Sequence, residues 1–154
     1  MQRYTWSRLN HMQLGRYAEY FVKMEFTMYG FDVYTSEVDD KGIDFVVRRD
    51  RHRYYDVQVK SVRSLNYVFM PKDRFQLRDN MFLALVLFQE GLPPRHFLIP
   101  ALAWLVPNAL FVGRDYEGRR SAPEWGLNLS VKSMSLLEPY EFEHAIERFM
   151  DTQT

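Results

Sequence analysis

The chain contains no cysteine among its 154 residues. That excludes a disulfide scaffold, a thiolate-ligated zinc site, an iron–sulfur cluster and a thiol nucleophile together. Long apolar runs are also missing. No stretch approaches the roughly 18 residues of a membrane-spanning helix, and the start, MQRYTWSRLNHMQ, has no apolar signal segment. The expectation is a cytoplasmic protein with no membrane partner. Glycines number seven and are dispersed, so neither a phosphate-cradling loop nor a dinucleotide fingerprint is present. The four histidines, His11, His52, His96 and His144, lack metal-ligand spacing. No serine stands in a nucleophile elbow.

Net charge is lacking too, at +0, which excludes an overall basic coat for nucleic acid. The charge is nevertheless uneven. Residues 1–80 carry 14 Lys/Arg against 11 Asp/Glu, and residues 81–154 carry 6 against 9. A local basic patch in the first half is compatible with that division. What the chain has in abundance is aromatic residues, at 16%. They supply bulky filler for one core, and the length suits one domain spanning residues 1–154.

Apolar spacing predicts a helix over 7–29, with Ser7 as its cap and Gly30 closing it. A short strand follows at 31–37. Residues 43–49 and 54–62 read as a hairpin around the polar segment DRHR, and 65–70 as its continuation after a bend. The charged run 72–80 has room for a short helix. Residues 82–88 form a continuous apolar run, expected to be a buried central strand, with 95–100 returning antiparallel to it. ALAWL, 101–105, reads as a helical turn, and EWGLNLS, 124–130, as an edge strand. A closing helix is predicted over 135–150, with Ser135 and Glu138 at capping-box spacing. The order of elements describes an α+β or α/β sandwich.

The informative stretch is 39–61, DDKGIDFVVRRDRHRYYDVQVKS. With the hairpin centred on Arg51, paired positions sum to 102 and Asp44 lies opposite Gln58. Side chains alternate faces, so Ile43, Phe45, Val47, Val57 and Val59 share an apolar face. Asp44, Asp56, Gln58 and Lys60 share the other. Opposed Cβ atoms in such a ladder lie about 4.5–5.5 Å apart. A carboxylate, an amide carbonyl and an ammonium are thereby gathered, a set that suits a hard divalent cation and a polarised phosphate. Glu19, on the first helix beside its apolar stripe, is a candidate third acid. Gly15, one turn earlier, is expected to permit close approach of a strand.

Glu on a first helix, then GID, then QVK resembles the PD-(D/E)XK nuclease superfamily, and most closely its Gln-containing branch with Mrr-type and resolvase-like members. The resemblance covers roughly residues 14–61. It implies an α/β restriction endonuclease-like fold, a mixed central sheet flanked by helices. It also implies Mg²⁺- or Mn²⁺-dependent phosphodiester hydrolysis, with DNA favoured over RNA as the partner, and a homodimer to cut two strands. By position, Asp44 and Glu19 resemble the metal-binding acids, Gln58 the (D/E) position and Lys60 the catalytic lysine. Two departures stand out: Ile43 replaces the usual Pro, and Gln58 is neutral. An inactive nucleic-acid-binding or protein-interaction module of the same fold is the alternative.

Plainer roles exist for each residue. Asp44 and Lys60 could form a cross-strand ion pair, Glu19 could pair with Lys23 at i+4, and Gln58 could be an ordinary polar strand residue. Asp56 is assigned a structural role, and Asp39 and Asp40 turn-forming ones. Arg48, Arg49, Arg51 and Arg53 crowd the hairpin tip, where they could meet phosphates or simply protect an edge. Tyr67, Phe69 and Phe75, interleaved with cations, could stack bases or fill the core.

Overall fold

A computed structural model describes residues 2–38 and 42–151. Asp39 and Asp40 lie outside them. The first long helix, α1, spans His11–Met28. Its cap is Asn10, not Ser7. The Asn10 side chain accepts from the Gln13 N–H, and the Gln13 side chain accepts from the Asn10 N–H, both at 2.9 Å. Ser7 instead donates to Glu90. The earlier residues Trp6–Arg8 form a 3-10 turn, pinned where the Trp6 indole donates to the Leu92 carbonyl at 2.8 Å. The helix ends as expected: Gly30 takes φ 84°, and the Phe31 N–H reaches back to the Phe26 carbonyl.

Strand β1 (Asp32–Tyr34) leads to β2 (Phe45–Arg48), β3 (Tyr55–Val62), β5 (Met81–Leu87) and β6 (Arg95–Pro100), which form one sheet in the order β1-β2-β3-β5-β6. The sheet is mixed, because β3 and β5 pair in parallel while the other pairs are antiparallel. β5 is buried along its whole length, as a continuous apolar run demands.

Residues 65–70 do not prolong β3. Arg63 donates to the Trp6 and Leu9 carbonyls, and the chain turns there. β4 (Tyr67–Pro71) then joins β7 (Phe111–Arg114) and β8 (Glu124–Asn128) in a second sheet ordered β4-β8-β7. β8 is therefore central, not an edge. The run 72–80 forms turns rather than a helix, with Phe75 buried and Arg78 bound to Asp56 and Asn80. The closing helix is interrupted: α2 (Met134–Leu137) gives way to a 3-10 turn at Glu138–Tyr140, and α3 (Phe142–Asp151) follows. Pro139 inside the expected helix explains the break, since it lacks an N–H and crowds the preceding turn. The Ser135 cap is not formed.

Two apolar cores lie on opposite faces of the main sheet. On one, Leu14, Ala18, Val22 and Phe26 of α1 and Phe142 and Ile146 of α3 pack on Phe45, Val57, Phe82 and Ala84. On the other, Leu83, Leu85 and Ile99 meet Val68, Met70, Phe111 and Leu127 of the second sheet. Among the described residues no helix is long and apolar enough to cross a membrane.

Candidate functional site

The hairpin has the expected register. Phe45, Val46 and Val47 pair with Val57, Asp56 and Tyr55. Phe45, Val47, Tyr55 and Val57 face α1. By alternation, Val46, Arg48, Asp56, Gln58 and Lys60 face the other way. Gln58 and Lys60 stand beside Leu83 and Leu85 in the parallel ladder, on the side of the second core.

The ladder fails at Asp44. Its N–H donates to the Val57 carbonyl at 2.9 Å, while its carboxylate Oδ2 accepts the Val59 N–H at 2.6 Å. A side chain thus replaces the backbone acceptor that β3 would otherwise find there. The carboxylate is held against the peptide between Gln58 and Lys60. Gly42 lets the chain leave the sheet at this point. Its φ is 75°, and a Cβ there would sit 2.9 Å from the Arg74 Cβ.

Gln58 is 8% exposed, and its Oε1 has no hydrogen-bond partner among the described residues. A buried acceptor left unpaired costs about 1–3 kcal/mol. An amide oxygen on the residue before the N–H that a carboxylate caps is the kind of hard oxygen donor that a divalent cation takes. The residues present therefore fit such an ion. Among the described residues no group of three or more His, Asp or Glu could hold a metal by itself, so the set relies on Gln58 as well as on acids. Lys60 is half-buried on the same face.

Glu19 is half-buried on α1 and accepts from Arg16 at 3.0 Å, not from Lys23. The Lys23 ammonium lies 5.6 Å from the Phe45 ring. Glu19 stands level with Lys60 along the sheet, but α1 packs on the face opposite Gln58 and Lys60, so the structure does not gather it with them. Phe26 is 6.0 Å from Phe45 at one end of α1, and Arg63, just past β3, bonds Trp6 and Leu9 at the other. Helix and strand therefore run antiparallel. Glu19 lies seven residues before Phe26, about 10 Å along the helix. Lys60 lies three residues beyond Val57, about 10 Å along the strand. Gly15 does not serve close packing, since a Cβ there would meet nothing within 4 Å.

At the hairpin tip, Asp50 Oδ1 accepts the N–H groups of His52 and Arg53 at 2.8 and 2.9 Å, which holds its carboxyl below the usual range. Arg53 pairs with Asp79 at 2.7 Å. Arg48 donates to the Tyr54 hydroxyl at 2.6 Å. Arg49 and Arg51 are exposed, with no ion pair among the described residues. Asp56 has its structural role, bound by Arg78 at 2.5 Å. The aromatic trio divides: Phe75 is core, whereas Tyr67 and Phe69 stack on the outer face of the second sheet. Tyr67 lies across Gly126 and donates to Glu124 at 2.5 Å. Burial, followed by that bond, raises its pKa.

Sequence reasoning missed Tyr34 and Tyr54. Their rings flank Arg48, whose guanidinium carbon is 5.2 and 5.1 Å from the two centroids. The signal was available only after β1 was paired, because Tyr34 falls opposite Val46 and so on the site's face.

No protein-family model matches the chain, and no curated protein matches it. The fold does match a solved structure, Hjc of Archaeoglobus fulgidus, a Holliday junction resolvase from an archaeal hyperthermophile. The TM-score is 0.52 at 15% sequence identity, over 85% of this chain and 93% of that one. The chain has a restriction endonuclease-like fold. At that identity the likeness speaks for architecture alone.

Proposed function

We propose that the chain is a metal-dependent nuclease that hydrolyses phosphodiester bonds in DNA. The observation that carries the reading is the buried Gln58 Oε1, unpartnered among the described residues, on the residue before the Val59 N–H that the Asp44 carboxylate caps. Asp44 and Gln58 would hold Mg²⁺ or Mn²⁺, and Glu19, on the helix that covers the other face of the sheet, would reach that ion only through water around the end of β2, once it leaves Arg16. The ion would supply charge to polarise the phosphate and acidify water. Lys60 would orient the attacking water and offset the charge that develops on the pentacovalent phosphorus. Asp44 has a second task, since its bond to the Val59 N–H fixes the strand that carries Gln58 and Lys60. Arg49 and Arg51 would contact phosphates outside the cleaved bond. The resolvase likeness favours DNA as the substrate, and a two-fold dimer would set two sites on two strands.

A second reading, an inactive binding module of the same fold, draws on the Glu19–Arg16 pair and on the neutral Gln58. Cleavage of a panel of duplex, flap, fork and junction DNA in Mg²⁺ and Mn²⁺ separates the two. The variants are Asp44→Asn, which keeps an oxygen for the Val59 N–H, and Lys60→Met. Metal-dependent cleavage by the wild type, lost in both variants at unchanged thermal stability, is the expected result. Undiminished cleavage in either variant refutes these assignments. No cleavage of any DNA shape by the wild type leaves the binding module.

A further inference from the structure

The face that bears Asp44, Gln58 and Lys60 does not end at the hairpin. It continues outward through Val46 to Arg48, and sideways to Tyr34 on β1 and Tyr54 before β3. These three form one unit. The two rings lie 6.0 Å apart at 57°, and the guanidinium sits about equally close to both. The Tyr54 hydroxyl fixes its direction. Yet the rings remain 41% and 46% exposed. A cluster that served only the core would be covered.

We propose that Tyr34, Arg48 and Tyr54 are a stacking platform for unpaired bases, so that the substrate carries single-stranded DNA next to the cleaved bond. The proposal rests on the nuclease reading for its second half. Three observations support it. The rings present π-faces at the surface, and base stacking on such faces is tolerant of sequence. A base can reach them only out of a duplex, because a paired stack offers its edges and not its faces. Their angle of 57° rules out a parallel slot, so each ring would take one base face.

Charge agrees with an anionic strand. Asp50 is committed to two backbone N–H groups and Asp79 to Arg53, while the exposed Arg49 and Arg51 follow Arg48 at the hairpin tip without ion pairs among the described residues. Asp32, opposite Arg48, bounds the surface on its outer side. Distance agrees as well. Arg48 is four residues from Asp44, about 13 Å along the strand. That is about four nucleotide steps at duplex rise, and fewer for a stretched strand.

The test measures binding, not cleavage. Fluorescein-labelled oligo-dT of about twenty nucleotides and a blunt duplex of equal length would be titrated with metal-free protein at low salt. The proteins are the wild type, Tyr34→Leu, Tyr54→Leu and the double variant, with circular dichroism confirming the fold. Leu retains an apolar cover but has no π-face. The expected result is a rise in Kd for oligo-dT of about five-fold or more per variant, the loss of one stacked base, with duplex binding unmoved. Absent oligo-dT binding by the wild type, an unchanged Kd in the double variant, or an equal loss for duplex would overturn the platform. Repetition in Asp44→Asn keeps the two readings apart. A platform effect without any wild-type cleavage refutes the nuclease and spares the platform; cleavage without a platform effect does the reverse.

Discussion

Replacing Gln58 by Met should make the metal-free protein more stable. Gln58 Oε1 is buried without a partner among the described residues, and an unpaired buried acceptor costs about 1–3 kcal/mol. Met has a similar reach, is unbranched and adapts to irregular space, here beside Leu83. Allowing for loss of the amide N–H₂, the gain should be about 1–2 kcal/mol. For a domain of this size each kcal/mol moves Tm by about 2–4 °C, so Tm should rise by about 2–8 °C in EDTA. Metal should reverse the order. At a concentration a hundred times Kd a ligand adds about 2.7 kcal/mol, and only the wild type should gain it. The assay is thermal unfolding of both proteins in EDTA and across an Mn²⁺ series. A Tm in EDTA that falls or stays level would refute the reasoning, because the carbonyl would then have a satisfying environment of its own. An equal Mn²⁺ shift in both proteins would remove Gln58 from the metal site.

Two further outcomes follow from the scaffold. His96 is packed between Phe21 and Phe142, and burial lowers its pKa to about 4 despite the nearby Glu141. Its stabilising effect as neutral imidazole is complete above the ordinary value of 6.5 and is lost as pH falls towards 4, up to about 3 kcal/mol; Glu25, 3.8 Å away, has a raised pKa and acts weakly in the opposite sense. Urea unfolding at pH 7.5 and 5 should show this slope in the wild type and lose most of it in His96→Phe, and equal slopes would contradict the assignment. Gly15→Ala should stabilise α1 by about 0.5–1 kcal/mol, since the added methyl meets nothing within 4 Å; destabilisation would show a contact that the helix does not have.

The hairpin register was legible because side-chain alternation needs only parity. Once the tip was placed at Arg51, the faces of 43–60 were set, and the observed pairing of Phe45 with Val57 agrees. The second sheet was not legible, since β4 pairs with β8 across more than fifty residues of sequence and no local pattern announces that. Where it forms, Gly126 accommodates the Tyr67 ring, a contact that neither segment reveals alone. The helix start was misplaced because Ser7 and Asn10 are both good caps. The buried Trp6 decided between them by holding the preceding turn against Leu92. Glu19 chose Arg16 over Lys23 because Lys23 is drawn over the aromatic faces of Tyr20 and Phe45.

Several local irregularities meet around Asp44. Gly42 has a positive φ against Arg74, Asp44 ends the ladder with its side chain, and Gln58 buries an unpaired oxygen. A shortage of donors does not explain Gln58, because Asp56, two residues earlier on the same strand and face, receives Arg78 at 2.5 Å. A second buried atom without a partner among the described residues, His96 Nε2, has its own explanation, since it sits between aromatic rings with the proton held off by burial. Natural sequences keep local and global preferences consistent except where function demands otherwise. Among the described residues nothing satisfies the oxygen of Gln58, and the Asp44 carboxylate capping the next N–H makes a cation the chemistry that would satisfy it.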